Sequence, residues 1–243
     1  MHLMEPAISA GLERAVQVVA SSPLTQGLKT AEVLRVVRAG RKVTAGSGEY
    51  YFLQGEHCRH VYLLLRGRVK LAQTTAEGDQ VTARLVGPKE IFGWAPLWGR
   101  PTYSTSAEVL EAAEALRWDA ASLGQLFLEL PVLALNALRM TGEELHELRI
   151  RFLELATVPV ERRLARTLLR LAARAGRLVP TGTLIDFPLT RQELAEMTGT
   201  TLHTVSRTLS RWKQSGIVAA GRRRIVIRRP DLLAAVADAG TSP

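Results

Sequence analysis

The segment TRQELAEMTGTTLHTVSRTLSRW (Thr190–Trp212) decides how the C-terminal part of this chain folds. Thr190 is followed three residues later by Glu193, a capping-box spacing that predicts the start of a helix. Gly199 is suited to end that helix, and Thr201 is a typical N-cap for a second one. Two short helices joined by a tight glycine turn predict a helix-turn-helix.

The second helix of this segment has one apolar side and one polar side. Its predicted inward residues are Leu202 or Val205, together with Leu209 and Trp212. The opposite side carries histidine, serine, threonine and arginine, which either form an ordinary solvated face or hydrogen-bond to a DNA duplex. In a helix-turn-helix the second helix enters the major groove, so this side is the candidate reading surface.

The segment IVAAGRRRIVIRR (Ile217–Arg229) predicts two short strands around a basic turn. Arg222, Arg223 and Arg224 lie at the tip of this hairpin. Taken by themselves, three arginines at a turn fit a solvated surface as well as they fit a phosphate-binding site. Beside a helix-turn-helix they indicate a wing that contacts DNA phosphates.

The net charge of the 243-residue chain is +9, and all of it lies in the last third. Residues 1–156 contain 17 basic and 17 acidic residues, whereas residues 157–243 contain 15 basic and 6 acidic ones. This segregation favours a polyanion-binding module attached to a neutral one. A membrane-surface role would favour a long basic amphipathic helix with bulky apolar residues opposite, which the sequence lacks.

Composition disfavours several other settings. No apolar run approaches the roughly 18 residues of a membrane span, and no secretory signal is recognisable. A cytoplasmic protein with no membrane partner is therefore the default expectation. Cys58 is the only cysteine, which excludes an intrachain disulfide and a four-thiolate iron–sulfur cluster within one chain.

The N-terminal half predicts two helices followed by a β-roll. Helical periodicity over residues 7–38 breaks near Ser21–Pro23, and short β runs with glycine turns continue from about Arg41 to Asp119. The run VYLLLRGRVKLAQ (Val61–Gln73) is interpreted as two strands around Arg66-Gly67. The expected fold class is α+β, beginning with an antiparallel, jelly-roll-like sensor domain.

Three parts are expected: the sensor domain (1–130), a dimerisation helix with a hinge (131–158), and the winged helix-turn-helix domain (159–243). A helix over Pro131–Ala156 would be nearly 40 Å long, more than a small roll can cover. Packing on its own domain is the alternative, but the heptad-like spacing favours pairing with a second copy. The expected dimer residues are Leu138, Leu145, Leu148, Phe152 and Leu155. Pro159 suits the start of the next helix, which places the hinge near Thr157–Pro159.

Over most of its length the chain resembles the CRP/FNR family of transcription regulators. The resemblance is carried by YFLQGEHCRHVYLLLRGRVKL, GPKEIFGWAPL and YSTSAEV in the roll, and by TRQELAEMTGTTLHTVSR in the helix-turn-helix. It implies a homodimer that binds a two-fold-related operator on double-stranded DNA and controls transcription initiation. RNA polymerase is then an expected partner.

The resemblance also implies roles for residues of the second helix. Arg207 matches the family's guanine-reading arginine, and Ser206 matches the serine of the FNR-like branch. His203 stands where the family usually has glutamate, and Leu202 where the cyclic-AMP receptor protein has arginine. The operator should therefore differ from both familiar consensus sequences. The positions matching DNA-backbone contacts are Arg191, Gln192, Thr201 and Thr204.

The roll departs from the family's cyclic-nucleotide pattern. In members that bind these nucleotides, a glutamate after the FG pair holds the ribose and an Arg-Ser pair grips the phosphate; here Trp94 and Tyr103 stand at the Glu and Arg positions. Without the charge-assisted contact from arginine, cyclic AMP is not expected to bind. We expect an apolar pocket, either filled by its own aromatic residues or open to an unidentified effector. Its expected lining is Trp94, Trp98, Tyr103, Ser104, Leu145, Leu148 and Phe152.

Haem is the one cofactor left open, since some relatives sense gases with it. The candidate ligands His57, Cys58 and His60 lie in the turn QGEHCRH, where incidental polar residues are the more ordinary explanation. A small β-roll enzyme, or a gas sensor whose output is not DNA binding, is the alternative class. Such enzymes need histidines and carboxylates converging from strands, which this spacing does not supply. No catalytic or metal-binding residue is therefore predicted.

Overall fold

Two helices precede the roll. The computed structural model describes residues 5–221 and 223–239, and it begins with α1 (Glu5–Ala20) and α2 (Thr30–Arg38). The predicted break between them is confirmed at Ser22, which caps a short 3₁₀ turn over Pro23–Thr25. The Ser22 hydroxyl also donates to the carbonyl oxygen of Lys89 at 2.7 Å, so the break is fastened to the roll.

The roll is a five-stranded sheet in the order β1-β5-β2-β3, with β4 paired to β2. The pairings of β5 with β1 and β2, and of β4 with β2, are antiparallel. The strands are β1 (Arg41–Ala45), β2 (His60–Thr74), β3 (Gln80–Val86), β4 (Ile91–Phe92) and β5 (Ser106–Asp119).

The prediction of two strands around Arg66-Gly67 is wrong, because β2 is one continuous strand. It pairs with β5 on both sides of Gly67, with register irregularities between Leu64 and Val69. Gly67 has a φ of +89°, which glycine can adopt in a bulge, and the continued pairing with β5 excludes a reversal of the chain. Between Leu64 and Val69 the register shifts leave one extra residue in β5. The inward positions of β2 change there from even to odd numbers, and this change of phase resembles a break between two strands.

Two apolar clusters lie on opposite faces of β2. One joins Val61 and Leu63 to residues of α1 and α2 and to Trp118, which is fully buried. The other lies inside the roll and contains Tyr62 and Leu64 before the bulge. The alternation along β2 therefore separates a helix-facing core from an aromatic interior.

A long helix follows the roll. After α3 (Ala120–Glu129), α4 runs over Pro131–Thr157, which confirms the predicted helix. The chain divides into two compact units within α4: the first comprises Met1–Glu77 and Ala83–His146, and the second comprises Gly78–Thr82 and Glu147–Pro243. All five expected dimer residues have at least half of their surface exposed in the single chain.

The second unit confirms the predicted winged helix-turn-helix. Its sheet has the order β6-β7-β9-β8. Its helices and strands are α5 (Val160–Ala175), β6 (Gly176–Val179), β7 (Gly182–Ile185), α6 (Arg191–Thr198), α7 (Leu202–Gln214), β8 (Val218–Ala220), β9 (Ile225–Ile227) and α8 (Pro230–Asp238). The sequence did not predict α3, β6 or α8.

Candidate nucleic-acid interface

The predicted caps of α6 form as expected. The Thr190 hydroxyl accepts from the Glu193 backbone N–H at 3.1 Å, and the Glu193 carboxylate accepts from the Thr190 N–H at 2.6 Å. At the other end Gly199 adopts the left-handed conformation, with a φ of +57°. This residue allows the chain to turn directly into α7, because left-handed backbone is least costly for glycine.

The burial of α7 resolves which of its residues face inward. Val205, Leu209 and Trp212 are buried, whereas Leu202 is 47% exposed. Thr201 caps the helix, and its hydroxyl accepts from the Thr204 N–H at 3.2 Å. Because the apolar stripe packs inward, the opposite face of α7 is presented to solvent.

The candidate base-reading residues share that outer face. His203 and Arg207 are exposed and Ser206 is half-buried, at spacings of three and four residues. Leu202 lies at the edge of the same face. These side chains occupy the first half of α7, the part of a recognition helix that reaches base edges.

The candidate backbone-contacting residues lie at the N-terminal ends of the two helices. Arg191 is half-buried, and Gln192 is exposed with its amide donating to Glu196 at 3.2 Å. The hydroxyls of Thr201 and Thr204 are 3.0 Å apart. All four begin a helix, where backbone N–H groups and polar side chains suit phosphate oxygens.

The wing is the hairpin of β8 and β9. Ala219 pairs with Val226, and the turn beyond the strands carries the exposed side chains of Arg223 and Arg224. Arg222, which was also predicted to contact phosphate, lies outside the described residues. The backbone carbonyl of Arg223 accepts from the Leu189 N–H at 3.3 Å. This bond joins the wing tip to the chain just before α6. The candidate phosphate-contacting residues of the wing and of the start of α6 are therefore neighbours.

Ion pairs neutralise much of the basic face of α5. Glu154 of α4 is buried, and its carboxylate lies 2.9 Å from the Arg170 guanidinium and 3.5 Å from that of Arg166. Further pairs in this unit include Arg174 with Glu147 and Arg177 with Asp186.

The arginines of the candidate interface are different. Among the residues that the structure describes, Arg207, Arg223 and Arg224 form no ion pair. The uncompensated positive charge of the second unit therefore includes α7 and the wing, as a phosphate-binding surface requires.

Two residues that contact the helix-turn-helix were not found from the sequence. Glu161 and Arg163, in the first turn of α5, contact the end of α7 and the turn before it. Their partners are 35 to 51 residues away in the chain. A local pattern cannot reveal such contacts, although a lone acid in the basic run VERRLAR was a visible irregularity.

The aromatic residues of the expected effector pocket pack in different parts of the first unit. Trp94 belongs to the helix-facing cluster, whereas Tyr103 lies in the aromatic interior, where its ring stacks on Phe52 at 3.8 Å. Trp98 is 55% exposed and Ser104 is also exposed. Neither Trp94 nor Tyr103 lies in a strand, because Trp94 follows β4 and Tyr103 precedes β5, and their rings pack in different clusters. Leu145, Leu148 and Phe152 are exposed in the single chain.

The candidate haem ligands have other neighbours. The Cys58 thiol is buried, donates to the carbonyl oxygen of Arg100, and has its pKa raised by burial. His60 lies 3.0 Å from the Asp119 carboxylate, yet burial and the charge of Arg117 lower its pKa. Within the described part of the chain, no group of three or more His, Cys, Asp or Glu side chains is placed to hold a metal ion.

The length and composition of a helix decide whether it could span a membrane. Of the helices described, none is by itself long and apolar enough to cross a bilayer. Within the described part of the chain, α3 and α4 taken together are the only pair that reaches that composition, and they are bent by 116° at their junction.

Two family models match the chain. A cyclic nucleotide-binding domain matches residues 42–129, and a Crp-like helix-turn-helix domain matches residues 162–236. The cyclic AMP receptor protein of Thermus thermophilus is 30% identical over 89% of this chain and 97% of its own length. The CRP-like cAMP-activated global transcriptional regulator of Mycobacterium tuberculosis is 22% identical over 90% of this chain and 97% of its own.

Solved structures show the same similarity. The catabolite activator protein of Thermus thermophilus aligns with a TM-score of 0.53 at 30% identity, covering 89% of this chain and 98% of that one. The c-di-GMP responsive global regulator CLP of Xanthomonas campestris aligns with a TM-score of 0.71 at 20% identity, covering 82% and 99%.

Proposed function

The chain belongs to the CRP/FNR family of DNA-binding transcription regulators, and on that premise we propose that it acts in the cytoplasm as a homodimer on a two-fold symmetric operator. The single observation that carries the proposal is the outer face of α7, where His203, Ser206 and Arg207 lie together beside an arginine-bearing wing. The bound dimer controls transcription initiation by RNA polymerase.

Base reading rests on the chemistry of α7. The planar guanidinium of Arg207 can donate two hydrogen bonds to the O6 and N7 atoms of guanine. A neutral His203 imidazole can accept one bond from a base amino group, but a protonated one cannot. Arg223 and Arg224 would contact phosphates and fix the orientation without reading sequence.

Dimerisation rests on the exposed apolar residues of α4. Phe152 is 69% exposed and Leu138 is 68% exposed in the single chain. A second copy of α4 would remove such side chains from water, and this burial would stabilise the dimer by about 25 cal/mol for each Å² of apolar surface buried. Pairing of two copies places the two α7 helices in successive major grooves, about 34 Å apart.

We further propose that the roll does not take up a cyclic nucleotide in the manner of its relatives. A phosphate held inside the roll would need a cationic partner, but Tyr103 is buried with its ring stacked on Phe52. The Tyr103 hydroxyl donates to the His60 carbonyl oxygen at 2.8 Å and accepts from the His60 N–H at 3.2 Å. The residues present do not fit the ligand, so DNA binding does not require it.

Two matched variants test the reading surface. Arg207→Ala and Arg223→Ala each remove one exposed arginine that has no ion pair with a described residue. We expect Arg207→Ala to cost about 1–3 kcal/mol and to relax the preference at one base position in each half-site. Arg223→Ala should instead weaken binding to all duplexes alike and reduce the salt dependence. If Arg207→Ala leaves the base preference unchanged, α7 is not the reading helix.

The ligand proposal has its own test. Adding cyclic AMP to the wild-type protein should leave its affinity for the operator unchanged, as measured by fluorescence anisotropy. A saturable gain in affinity would contradict the proposal and would require Tyr103 to leave its stack.

A further inference from the structure

The first turn of α5 contacts the turn of the helix-turn-helix. Arg163 donates through Nε to the Thr198 carbonyl oxygen at 3.0 Å and through Nη2 to that of Gly199 at 3.3 Å. These carbonyls end α6, where a cation also opposes the negative end of the helix dipole. The third guanidinium nitrogen, Nη1, donates to the Val158 carbonyl oxygen at 2.7 Å, at the junction of α4 and α5.

The same turn of α5 contacts the far end of α7. One carboxylate oxygen of Glu161 accepts from the Trp212 indole N–H at 3.0 Å, and the other lies 2.7 Å from the Arg211 guanidinium. Trp212 is buried, so its indole N–H needs an acceptor, and Glu161 supplies one. Both oxygens of this carboxylate are therefore directed at the last turn of α7.

We propose that Glu161 and Arg163 are positioning residues for base reading, which fix the angle of α7 by holding it at both ends. The proposal rests on the proposed function, because it assumes that α7 reads DNA. Arg163 also ties the turn before α7 to Val158, so a change in the α4–α5 junction reaches the reading helix through one side chain.

The leverage follows from the length of α7. A helix of 13 residues is about 20 Å long, so a tilt of about 5° about its C-terminal end moves its first residues by about 1.7 Å. Hydrogen bonds to bases tolerate a spread of only about 0.5 Å in donor–acceptor distance. A small error in angle therefore disrupts base contacts while leaving phosphate attraction almost intact.

The ion pair of Glu161 with Arg211 contributes more to the angle of α7 than to folding. The apolar face of α7 is already buried through Val205, Leu209 and Trp212. The Glu161 and Arg211 side chains are 39% and 59% exposed, and exposed ion pairs contribute little to stability. Loss of the pair should therefore leave a folded domain whose recognition helix is less well aimed.

The test compares Glu161→Ala and Glu161→Gln with Arg177→Ala, in the full-length protein. Arg177→Ala is the matched control, since it removes an exposed ion pair with Asp186 in the same unit, a pair that includes no residue of α7. The main readout is the ratio of affinities for a duplex selected by the wild-type protein and for a scrambled duplex of equal length. We expect Glu161→Ala to lower this ratio by roughly tenfold, the discrimination carried by one base pair, with unchanged or higher affinity for the scrambled duplex.

A second readout reports the contact itself. The chain has four tryptophans, and the indole N–H signal of Trp212 can be assigned in the NMR spectrum with Trp212→Phe. Glu161→Ala should shift this signal. Glu161→Gln keeps a neutral acceptor for the indole but loses the Arg211 ion pair, so it should give a smaller shift and an intermediate ratio. Arg163→Lys keeps the charge without the three-way contact, and it should lower the ratio as well.

The outcomes separate this inference from the function on which it rests. An unchanged ratio in Glu161→Ala with a displaced indole signal would overturn the inference and leave the DNA-reading function intact. A parallel loss of affinity for both duplexes, with a lower melting temperature, would show a structural role only and would also overturn it. A ratio of one for the wild-type protein would refute the proposed function itself.

Discussion

Replacing Gly67 with alanine is expected to destabilise the roll strongly. A Cβ at this position would lie 2.6 Å from the carbonyl oxygen of Ala112 and 2.7 Å from the Cα of Ala113. Both atoms belong to β5, which pairs with β2 on either side of the bulge and cannot retreat. The φ of +89° adds a second penalty, because a residue with a side chain rarely adopts it.

The magnitude is a sum of opposing contributions. Left-handed backbone costs a non-glycine residue about 1–2 kcal/mol, and overpacking against a fixed neighbour costs about 1–3 kcal/mol. The lower entropy of the unfolded alanine chain returns about 0.4–1 kcal/mol. The net loss for Gly67→Ala is therefore about 1–5 kcal/mol, or about 4–20 °C in melting temperature at about 4 °C per kcal/mol.

The control has the opposite sign. Gly124 lies inside α3, and a Cβ there would meet nothing within 4 Å. Gly124→Ala should stabilise the same unit by about 0.5–1 kcal/mol, because alanine is the better helix former. Scanning calorimetry on both variants measures the two shifts. A Gly67→Ala protein that melts within 2 °C of the wild type would refute the bulge geometry, because a loss of at least about 4 °C is expected.

Three further predictions follow from other parts of the chain. Phe152→Asp places a charge on the exposed apolar face of α4, so it should leave the fold intact but prevent dimerisation. The variant should sediment as a monomer and bind the operator weakly, and a variant that remains dimeric would contradict this. Cys58, whose thiol pKa is raised by burial, should react with Ellman's reagent only on unfolding, whereas rapid labelling of the native protein would contradict its burial. The pKa of His60 is lowered, mainly by burial and also by the positive charge of Arg117. His60 therefore binds a proton less readily in the folded state than in the unfolded state. The free energy of unfolding should therefore fall as the pH drops below about 6.5, and it should fall less in His60→Asn. The measurement is the change in urea midpoint between about pH 7.5 and about pH 5.5, and an equal change in the two proteins would refute this.

The sequence predicted best those features that depend on neighbouring residues. The Thr190–Glu193 cap, the turn at Gly199 and the cap at Thr201 each involve residues within a few positions, and the structure confirms all of them. Helical periodicity predicted the outer face of α7, but it left open whether Leu202 or Val205 is inward. The structure shows that Val205 is the inward residue.

Features that depend on distant contacts were not predictable in the same way. The bulge at Gly67 changes the phase of an otherwise regular strand, and only its pairing with β5 distinguishes it from a turn. Trp94 and Tyr103 are close in sequence and both aromatic, yet they pack in different clusters. The contact of Glu161 with Trp212 joins residues 51 positions apart, so no local pattern indicates it.

The central claim is that α7 reads DNA as part of a symmetric dimer without an added ligand. The most direct measurement is selection from a randomised duplex library by the purified protein, at moderate salt and with no effector. We expect recovery of a two-fold symmetric site whose half-sites are about 34 Å apart, one turn of the double helix. Recovery of nothing beyond salt-sensitive background would contradict it.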